Sequence, residues 1–192
     1  MKNKIRKQIL QKRKNLSEFE WQEKSIIIQK KFLSSKFYKD SKIILSYFHF
    51  NREVKTDLII ETALKEKKII CIPKNDWQNF RIIPGMISSL EEINKNSFVP
   101  EPLFLREIPK EQIELIIVPG VVFDIYCNRI GMGKGFFDRF LASLPNHTFK
   151  VSLAFEFQVL KYKLPVEPWD IKVDFIITEE KEYFQNQLPS KT

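Results

Sequence analysis

The stretch VPGVVFDIYCNRIGMGKGFFDRFL, residues 118–141, holds four of the five glycines in the chain. Before it, the apolar run 114–118 predicts a strand. After it, apolar residues at helical spacing predict a helix; they are Phe136, Phe137, Phe140, Leu141 and Leu144. A strand, a glycine-rich loop and a helix in this order indicate a protein of the α/β class.

The loop between this strand and helix has the composition of a phosphate-binding loop. Gly131, Gly133 and Gly135 leave backbone amides free of bulky neighbours, and a helix N-terminus follows. Lys134 adds a full positive charge. The loop is not a Walker A motif, which needs Ser or Thr after its lysine, and Phe136 replaces the third glycine of the dinucleotide fingerprint. A tight connection without a ligand is the alternative interpretation.

Length and composition predict one globular domain without a membrane partner. The chain has 192 residues, of which 43% are hydrophobic and 29% are charged, enough to bury a real core. No apolar run reaches the roughly 18 residues needed to cross a bilayer, and the lysine-rich N-terminus lacks the apolar centre of a signal peptide. Cys71 and Cys127 have no metal-like spacing. We therefore expect a cytoplasmic protein.

The positive charge is concentrated at the N-terminus. The formal net charge is +8, from 32 Lys and Arg against 24 Asp and Glu. Seven basic residues and no acidic one fall within residues 1–15, which read as a basic helix; they are Lys2, Lys4, Arg6, Lys7, Lys12, Arg13 and Lys14. The remainder is close to neutral. This distribution suits a local anionic ligand better than a long nucleic acid, with a solvated helix as the alternative.

Two apolar runs on the N-terminal side of the glycine loop predict buried strands at 43–48 and 68–72, the second ending at Pro73. A helix predicted from 57 to about 66 joins them, and such a unit is parallel and right-handed by default. We predict a single α/β domain over residues 1–192, with a mainly parallel sheet and helices on both faces. The basic helix 1–15 belongs to this domain.

Further strands are predicted at 80–86, near an edge of the sheet, and at 150–155 and 174–178. The polar tail from Glu179 is expected to fray.

Three acidic residues stand where a ligand site is expected. Ligands of parallel sheets bind beyond the carboxyl ends of the strands, which predicts that Glu53 and the glycine loop share one rim. Glu53 is either a solvated loop residue or a ligand for a polar heterocycle. Asp138, in the first turn of the helix, either complements its dipole or binds magnesium beside phosphates. Asp174 is either a surface residue or a second metal ligand across the rim.

Taken together, these segments resemble the 5-formyltetrahydrofolate cyclo-ligase family, also called methenyltetrahydrofolate synthetases. The resemblance runs in order over essentially the whole chain. It rests on Lys2, Ile5 and Arg6, on Arg13-x-x-Leu16-Ser17, on Glu53-Val54-x-Thr56, on a strand ending at Pro73, on PGVVFDxxxNRIGxGxGFFDRFL at 119–141, and on Lys172-Val173-Asp174. The motif at 119–141 is highly specific for the family. The shorter motifs are weak individually and support the resemblance only because they occur in the same order.

The resemblance implies a Rossmann-like fold and an ATP- and magnesium-dependent reaction. In that reaction 5-formyltetrahydrofolate becomes 5,10-methenyltetrahydrofolate, with release of ADP and phosphate. The γ-phosphoryl group of ATP is transferred to the formyl oxygen, and the neighbouring folate nitrogen then closes the ring. Positioning and charge neutralisation are the main demands of such chemistry. The implied partners are small molecules, including folate polyglutamates, for an enzyme expected to be a monomer.

The resemblance also implies residue roles. Lys134 and Arg129 would act on the transferred group. ATP would contact Lys2, Lys4, Arg6, Arg129, Ile130, Gly131, Met132, Gly133, Lys134, Gly135, Phe136 and Phe137. The folate would contact Phe48, Glu53, Met132, Gly133, Lys134, Gly135 and Phe136. Magnesium would be held by Asp138 and Asp174.

The chain departs from the family pattern at four positions. Phe136 and Phe137 stand where the family usually has two tyrosines, Met132 replaces a residue able to make polar contacts, and Cys127 stands where glycine is common. A folate- or nucleotide-binding protein without catalysis is therefore one alternative function. An RNA-binding protein that uses the basic helix is another, which the near-neutral remainder of the chain disfavours.

Overall fold

A computed structural model describes residues 1–185. Its helices are α1 (Lys2–Lys14), α2 (Glu18–Ser34), α3 (Lys36–Asp40), α4 (Asp57–Lys65) and α5 (Phe136–Ala142). Its strands are β1 (Ile43–Ser46), β2 (Ile69–Asp76), β3 (Arg81–Ile87), β4 (Ile93–Asn94), β5 (Glu101–Pro102), β6 (Leu115–Ile117), β7 (Val122–Asp124), β8 (Arg129–Ile130), β9 (Phe149–Leu153), β10 (Val159–Leu160), β11 (Phe175–Ile177) and β12 (Glu182–Phe184).

A seven-stranded sheet forms the centre of the molecule. Its strand order is β12-β11-β9-β6-β1-β2-β3. The five inner strands run parallel, and the two edge strands, β3 and β12, are antiparallel to their neighbours. The fold is thus a mixed α/β domain built on a mainly parallel sheet, which confirms this part of the prediction.

The order of the parallel strands creates a topological switch point. The strands β1 and β6 are neighbours, but the chain continues from β1 to β2 on one side and from β6 to β9 on the other. The connections therefore diverge at the carboxyl ends of β1 and β6 and leave a crevice there, which is where ligands bind in open α/β sheets. The segments that leave these two strand ends are 47–56 and 118–121.

Alternation along the strands gives the sheet two apolar faces. Ile44 and Ile70 belong to a core cluster with residues of α2 and α4. Leu45 and Cys71, one position further along each strand, belong to a second cluster with Phe140 of α5. This period of two is the expected result for strands that are buried on both faces.

The basic helix α1 packs against a small second sheet rather than against the large one. This sheet has the order β10-β7-β8. Ile9 of α1 is buried with Val121, Val122 and Ile130 from the segment that surrounds β7 and β8. The arrangement brings the N-terminal half of α1 beside the glycine loop that follows β8.

The largest differences from the predicted strands lie at the end of β2 and in the tail. The strand β2 continues past Pro73 to Asp76, and Pro73 stands opposite Pro84 of β3. Proline has no backbone N–H to donate. Two prolines can therefore face each other where the paired residues exchange no hydrogen bonds, and the strand pairing continues on either side of them. The tail beyond Glu179 forms β12, where Phe184 stacks on Phe175 at 6.1 Å between ring centroids. The part of the predicted tail at 186–192 lies outside the described residues.

The start of α2 is stabilised by a capping box formed by Ser17 and Glu20. The Ser17 hydroxyl accepts from the Glu20 amide at 3.1 Å, and the Glu20 carboxylate accepts from the Ser17 amide at 2.9 Å.

We expect Ser17→Ala to lower the free energy of unfolding by about 1 kcal/mol, because it leaves one amide without its acceptor. Urea denaturation measures this change. Glu23→Ala, at an exposed position of the same helix, is the control; an equal loss in both variants would contradict the role of the cap.

Candidate active site

Two adjacent cavities open beyond the switch point, and the glycine loop is the wall between them. We call them the aromatic cavity and the cationic cavity. Six residues line both; they are Arg129, Gly131, Gly133, Lys134, Gly135 and Asp138. A single stretch of backbone can therefore contact two ligands at once.

The aromatic cavity is an open cleft of about 930 Å³, a volume that includes the solvent space at its mouth. Its other walls come from the ends of β1, β2 and β6, and its rings are Tyr47, Phe48, Phe50, Trp77, Phe98, Phe136 and Phe137. Trp77, at the turn between β2 and β3, meets Phe136 edge to face at 4.9 Å between centroids. Such a cavity suits a flat, largely apolar ligand with a few polar atoms.

Glu53 supplies the acidic group of the aromatic cavity and is only 7% exposed. Its amide donates to the Phe50 carbonyl at 3.0 Å, and its carboxylate accepts from the Phe50 amide at 3.3 Å. The indole of Trp21 donates to the Glu53 carbonyl at 2.7 Å. Burial raises the pKa of Glu53 to about 7, against the opposing effects of the Arg13 charge and the Phe50 amide. Glu53 can thus change its charge near neutral pH.

A hydrogen bond from a side chain of α1 to the backbone of the glycine loop holds the loop against this helix. Arg6 Nε donates to the Gly131 carbonyl at 2.8 Å. Gly133 has φ of +94°, in the region that disfavours side chains, and a Cβ added there would lie 3.3 Å from the Arg6 guanidinium. The backbone conformation therefore favours glycine at this position, and the Arg6 guanidinium lies close to where a Cβ would be.

Arg129 places a buried charge behind the glycine loop. It is 5% exposed and donates to the Asp138 carboxylate at 2.7 Å and to the Pro119 carbonyl at 3.1 Å. Burial lowers the pKa of Arg129, whereas Asp138 and Asp170 favour its charged form. Its Nε has no hydrogen-bond partner within the described chain. One nitrogen of this buried guanidinium thus has no partner among the described residues.

The cationic cavity carries five cations and two carboxylates. The cations are Lys2, Arg6, Arg129, Lys134 and Arg139, and the carboxylates are Asp138 and Asp170. Lys2, at the start of α1, pairs with Asp170. Trp169 completes the wall. The positive excess and the loop amides make this cavity suited to a polyanion.

Arg139 of α5 ties the turn at 77–80 to the glycine loop. Its guanidinium donates to the Phe80 carbonyl at 3.1 Å and to the Lys134 carbonyl at 3.0 Å. It also lies over the ring of Phe136 at 5.8 Å. The helix α5 has only seven residues, so the side-chain cations, rather than its macrodipole, supply most of the positive charge.

Most residues implied by the family resemblance meet at these cavities, but Lys4 and Asp174 do not line either one. Lys4 is exposed on α1. Asp174 precedes β11 and therefore lies at the amino end of that strand, so its expected position on the carboxyl rim is wrong. Its carboxylate accepts from the Lys150 amide at 2.8 Å. Within residues 1–185 no group of three His, Cys, Asp or Glu side chains is arranged to hold a metal ion by itself.

Several contributors were missed by sequence reasoning. Trp77 and Phe98 come from connections of weak pattern, and Asp170 comes from a proline-flanked loop. Arg13 was noted only as one of the basic residues of the N-terminal helix and as part of a motif, although it lies buried beside Glu53. Periodicity gives no signal for such residues, since tertiary contacts alone bring them to the site.

The unusual Cys127 has a conformational explanation. Its φ is +63°, a left-handed value that glycine adopts without strain. Cys127 is fully buried in the turn between β7 and β8 and lines neither cavity. This backbone conformation explains why glycine is common at this position in the family.

Burial of Glu53 predicts a pH-dependent contribution to stability. Because its pKa is about 7 in the folded chain against 4.5 as the ordinary value, the folded state holds this proton longer than the unfolded state. Glu53 therefore adds about 3 kcal/mol to the free energy of unfolding below pH 4.5, and this stabilisation is lost as the pH rises to 7. We expect Glu53→Gln to gain stability relative to the wild type between pH 5 and pH 8, as measured by urea denaturation. Exposed Glu23→Gln serves as the control, and a pH-independent difference for Glu53→Gln would contradict the prediction.

Comparisons with known proteins agree over nearly the whole chain. The model of the 5-formyltetrahydrofolate cyclo-ligase family matches residues 1–179. The chain is 30% identical to 5-formyltetrahydrofolate cyclo-ligase of Mus musculus, with 92% of each chain covered. It is 32% identical to the enzyme of that name from Mycoplasma pneumoniae, with 93% of this chain and 99% of the relative covered.

Solved structures show the same relationship. The NMR structure of Aquifex aeolicus 5,10-methenyltetrahydrofolate synthetase aligns with a TM-score of 0.83 at 32% identity, covering 100% of this chain and 96% of that one. A 5,10-methenyltetrahydrofolate synthetase from Mycoplasma pneumoniae aligns with a TM-score of 0.76 at 30% identity, covering 93% and 99%. The chain therefore belongs to the 5-formyltetrahydrofolate cyclo-ligase family and is an enzyme of the ligase class.

Proposed function

We propose that this protein converts 5-formyltetrahydrofolate to 5,10-methenyltetrahydrofolate, with ATP as the phosphoryl donor and release of ADP and phosphate. The observation that carries the proposal is the glycine loop, which lines an aromatic and a cationic cavity with the same residues. A reaction that joins a flat heterocycle to a triphosphate needs this adjacency.

The cationic cavity is proposed to hold the ATP phosphates. Lys2 and Arg6 of α1 line this cavity on one side and the glycine loop on the other, and the loop amides would donate to the phosphate oxygens. Lys4 is a more distant cation on the same helix. The remaining proposed ATP contacts follow the loop; they are Arg129, Ile130, Gly131, Met132, Gly133, Lys134, Gly135, Phe136 and Phe137. Charge complementarity of the cavity supports this assignment.

The aromatic cavity is proposed to hold the folate. Phe48 and Phe136 would enclose the pterin, and Met132 would cover its edge together with Gly133, Lys134 and Gly135. Glu53, when ionised, accepts hydrogen bonds from the N–H groups that a pterin ring presents. A buried carboxylate among aromatic rings favours this heterocycle over a purely apolar ligand.

The chemistry then follows from adjacency. The formyl oxygen attacks the γ-phosphorus, and the bond to the bridging oxygen of ADP breaks. The folate N10 attacks the activated formyl carbon and loses its proton, and phosphate leaves with the electron pair of the C–O bond. Lys134 and Arg129 are proposed to stabilise the negative charge on the transferring phosphoryl group, and the support is that both residues line both cavities.

Asp138 is proposed to hold magnesium in the cationic cavity. Asp138 lines the cationic cavity and its side chain is 23% exposed, so an oxygen ligand is accessible there. Magnesium typically combines one or two carboxylates with substrate phosphates and water, which suits a cavity without a preformed ligand cluster. When bound, the ion supplies positive charge to the phosphates. The proposed role of Asp174 as second ligand stays a prediction.

The remaining proposals concern the whole molecule. The Rossmann-like arrangement with helices on both faces is supported by α5 on one face of the sheet and α2 and α4 on the other. A cytoplasmic monomer acting on small molecules, including folate polyglutamates, is the proposed form. No helix among residues 1–185 is long and apolar enough to span a membrane.

A binding protein without catalysis is the second candidate, favoured by Phe136 and Phe137 in place of the tyrosine pair. Incubation with 5-formyltetrahydrofolate, magnesium and ATP decides between the two, through the absorbance of the methenyl product. The enzyme gives a signal that needs both ATP and magnesium. Folded protein that binds the folate but gives no such signal would establish the second candidate.

Lys134→Ala tests the charge of the glycine loop. We expect kcat to fall by about 100-fold or more, because a cation next to the transferring phosphoryl group is lost. The free energy of unfolding should change by less than about 0.5 kcal/mol, because the side chain belongs to a surface loop. Exposed Lys163→Ala is the matched control. Unfolding of the Lys134 variant would contradict its position in a ligand loop.

The metal proposal is tested by magnesium titration of the same reaction. We expect Asp138→Asn to raise the half-saturating magnesium concentration about tenfold or more, because one anionic ligand is lost. Asp40→Asn, at an exposed position, is the control. A similar increase in Asp174→Asn would identify it as the second ligand, whereas an unchanged requirement in that variant would limit the protein ligands to Asp138. A normal requirement in Asp138→Asn would overturn the site.

A further inference from the structure

Arg13, near the end of α1, is a buried cation that the proposed reaction does not use. It is 2% exposed, and its Nη2 donates to the Asn51 carbonyl. Its Nε and Nη1 have no hydrogen-bond partner within the described chain. A buried charge with so few partners is costly, so a requirement beyond packing is indicated.

The Arg13 guanidinium faces the rear of Glu53. A narrow space between α1 and the end of β1 is lined by Arg13, Tyr47 and Glu53. Among the described residues, no ion pair within 4.0 Å joins Arg13 to Glu53. Arg13 therefore acts on this carboxylate as a nearby charge, while the opposite side of Glu53 faces the aromatic cavity.

The bond to Asn51 holds the turn that places Glu53. Asn51 and Arg52 have φ of +52° and +59°, two successive left-handed residues that are not glycine. A residue with a Cβ is disfavoured in this conformation and persists there only where surrounding contacts fix it. Arg13 provides one of these contacts, and the bonds between Phe50 and Glu53 close the turn.

The opposite end of the same helix contacts the cationic cavity. Arg6 is bonded to Gly131, and seven residues later Arg13 is bonded to Asn51. At 1.5 Å per residue the two side chains start about 10 Å apart on one rigid element. The helix α1 thus reaches the walls of both cavities.

We propose that Arg13 is a positioning residue for the folate, which it serves by holding the 50–53 turn and by placing a positive charge behind Glu53. This inference rests on the proposed function, in which Glu53 contacts the pterin. The charged or titratable groups that face the Glu53 carboxylate are Arg13 from α1 and Tyr47 after β1. Burial raises the pKa of Glu53, and the Arg13 charge counteracts this effect. Loss of that charge would therefore raise the pKa of Glu53 above about 7.

Kinetics of Arg13→Gln, Arg13→Lys and the exposed control Lys12→Gln test the proposal. We expect Arg13→Gln to raise the KM for 5-formyltetrahydrofolate about tenfold or more and to change the KM for ATP less than about twofold. The acidic midpoint of kcat/KM for the folate should move to higher pH. Arg13→Lys should restore this midpoint, because the charge returns, but should leave part of the KM defect, because the bond to Asn51 is lost. Lys12→Gln should behave as the wild type.

A double-variant cycle separates positioning from a general effect on folding. In a Glu53→Gln background, Arg13→Gln should add little to the loss of folate affinity, because Arg13 acts through Glu53. The double variant should also fold, since both buried groups are then neutral, even if Arg13→Gln alone does not. An undiminished effect of Arg13→Gln in that background would overturn the proposal. Equal changes in the KM for folate and for ATP, or an unshifted pH midpoint, would do the same.

Equilibrium titration of each variant with 5-formyltetrahydrofolate distinguishes this inference from the proposed function. If the wild type binds the folate without ATP-dependent turnover, the proposed function fails, and the dissociation constants of the variants still decide the role of Arg13. If the wild type turns over and Arg13→Gln binds the folate normally, the inference alone fails. If the wild type does not bind the folate, both fail.

Discussion

The ion pair between Arg129 and Asp138 is the contact on which the arrangement of the site depends. Arg129 leaves the small second sheet, bonds the carbonyl of Pro119 at the end of β6, and pairs with the first turn of α5. These three segments enclose the glycine loop. Because Arg129 is buried, removal of Asp138 would leave a charge without compensation in the interior. The pair thus fixes the loop ends and keeps a charge beside the place proposed for phosphoryl transfer.

The topology of the sheet explains why two different cavities adjoin. Since β1 and β6 are neighbours whose connections diverge, the segments that follow them leave a crevice between the two halves of the sheet. The segment after β1 contributes aromatic rings and Glu53, and the region after β6 contributes the glycine loop. The helix α1 then supplies cations from outside the sheet. An apolar and a charged surface are in this way brought together on either side of one loop.

The sequence predicted those features whose cause is local. The glycines, the apolar runs and the concentration of cations in residues 1–15 led to the loop, the parallel sheet and the basic helix. Strand polarity, by contrast, decides the position of Asp174, and an acid at the start of a strand was wrongly expected at the opposite rim. Arg13 could not be distinguished from its exposed neighbours Lys12 and Lys14, because only the packing of α1 buries one of the three.

The positions of the three tryptophans give the molecule native optical reporters. Trp77 lies half exposed in the aromatic cavity, Trp169 lies in the wall of the cationic cavity, and Trp21 is bonded to the backbone of Glu53. Indole emission responds to local polarity and to nearby quenching groups. Chains that retain one tryptophan at a time would therefore report separately on the two cavities and on the turn behind one of them. The order in which two ligands enter can then be followed by light, without a label attached to either.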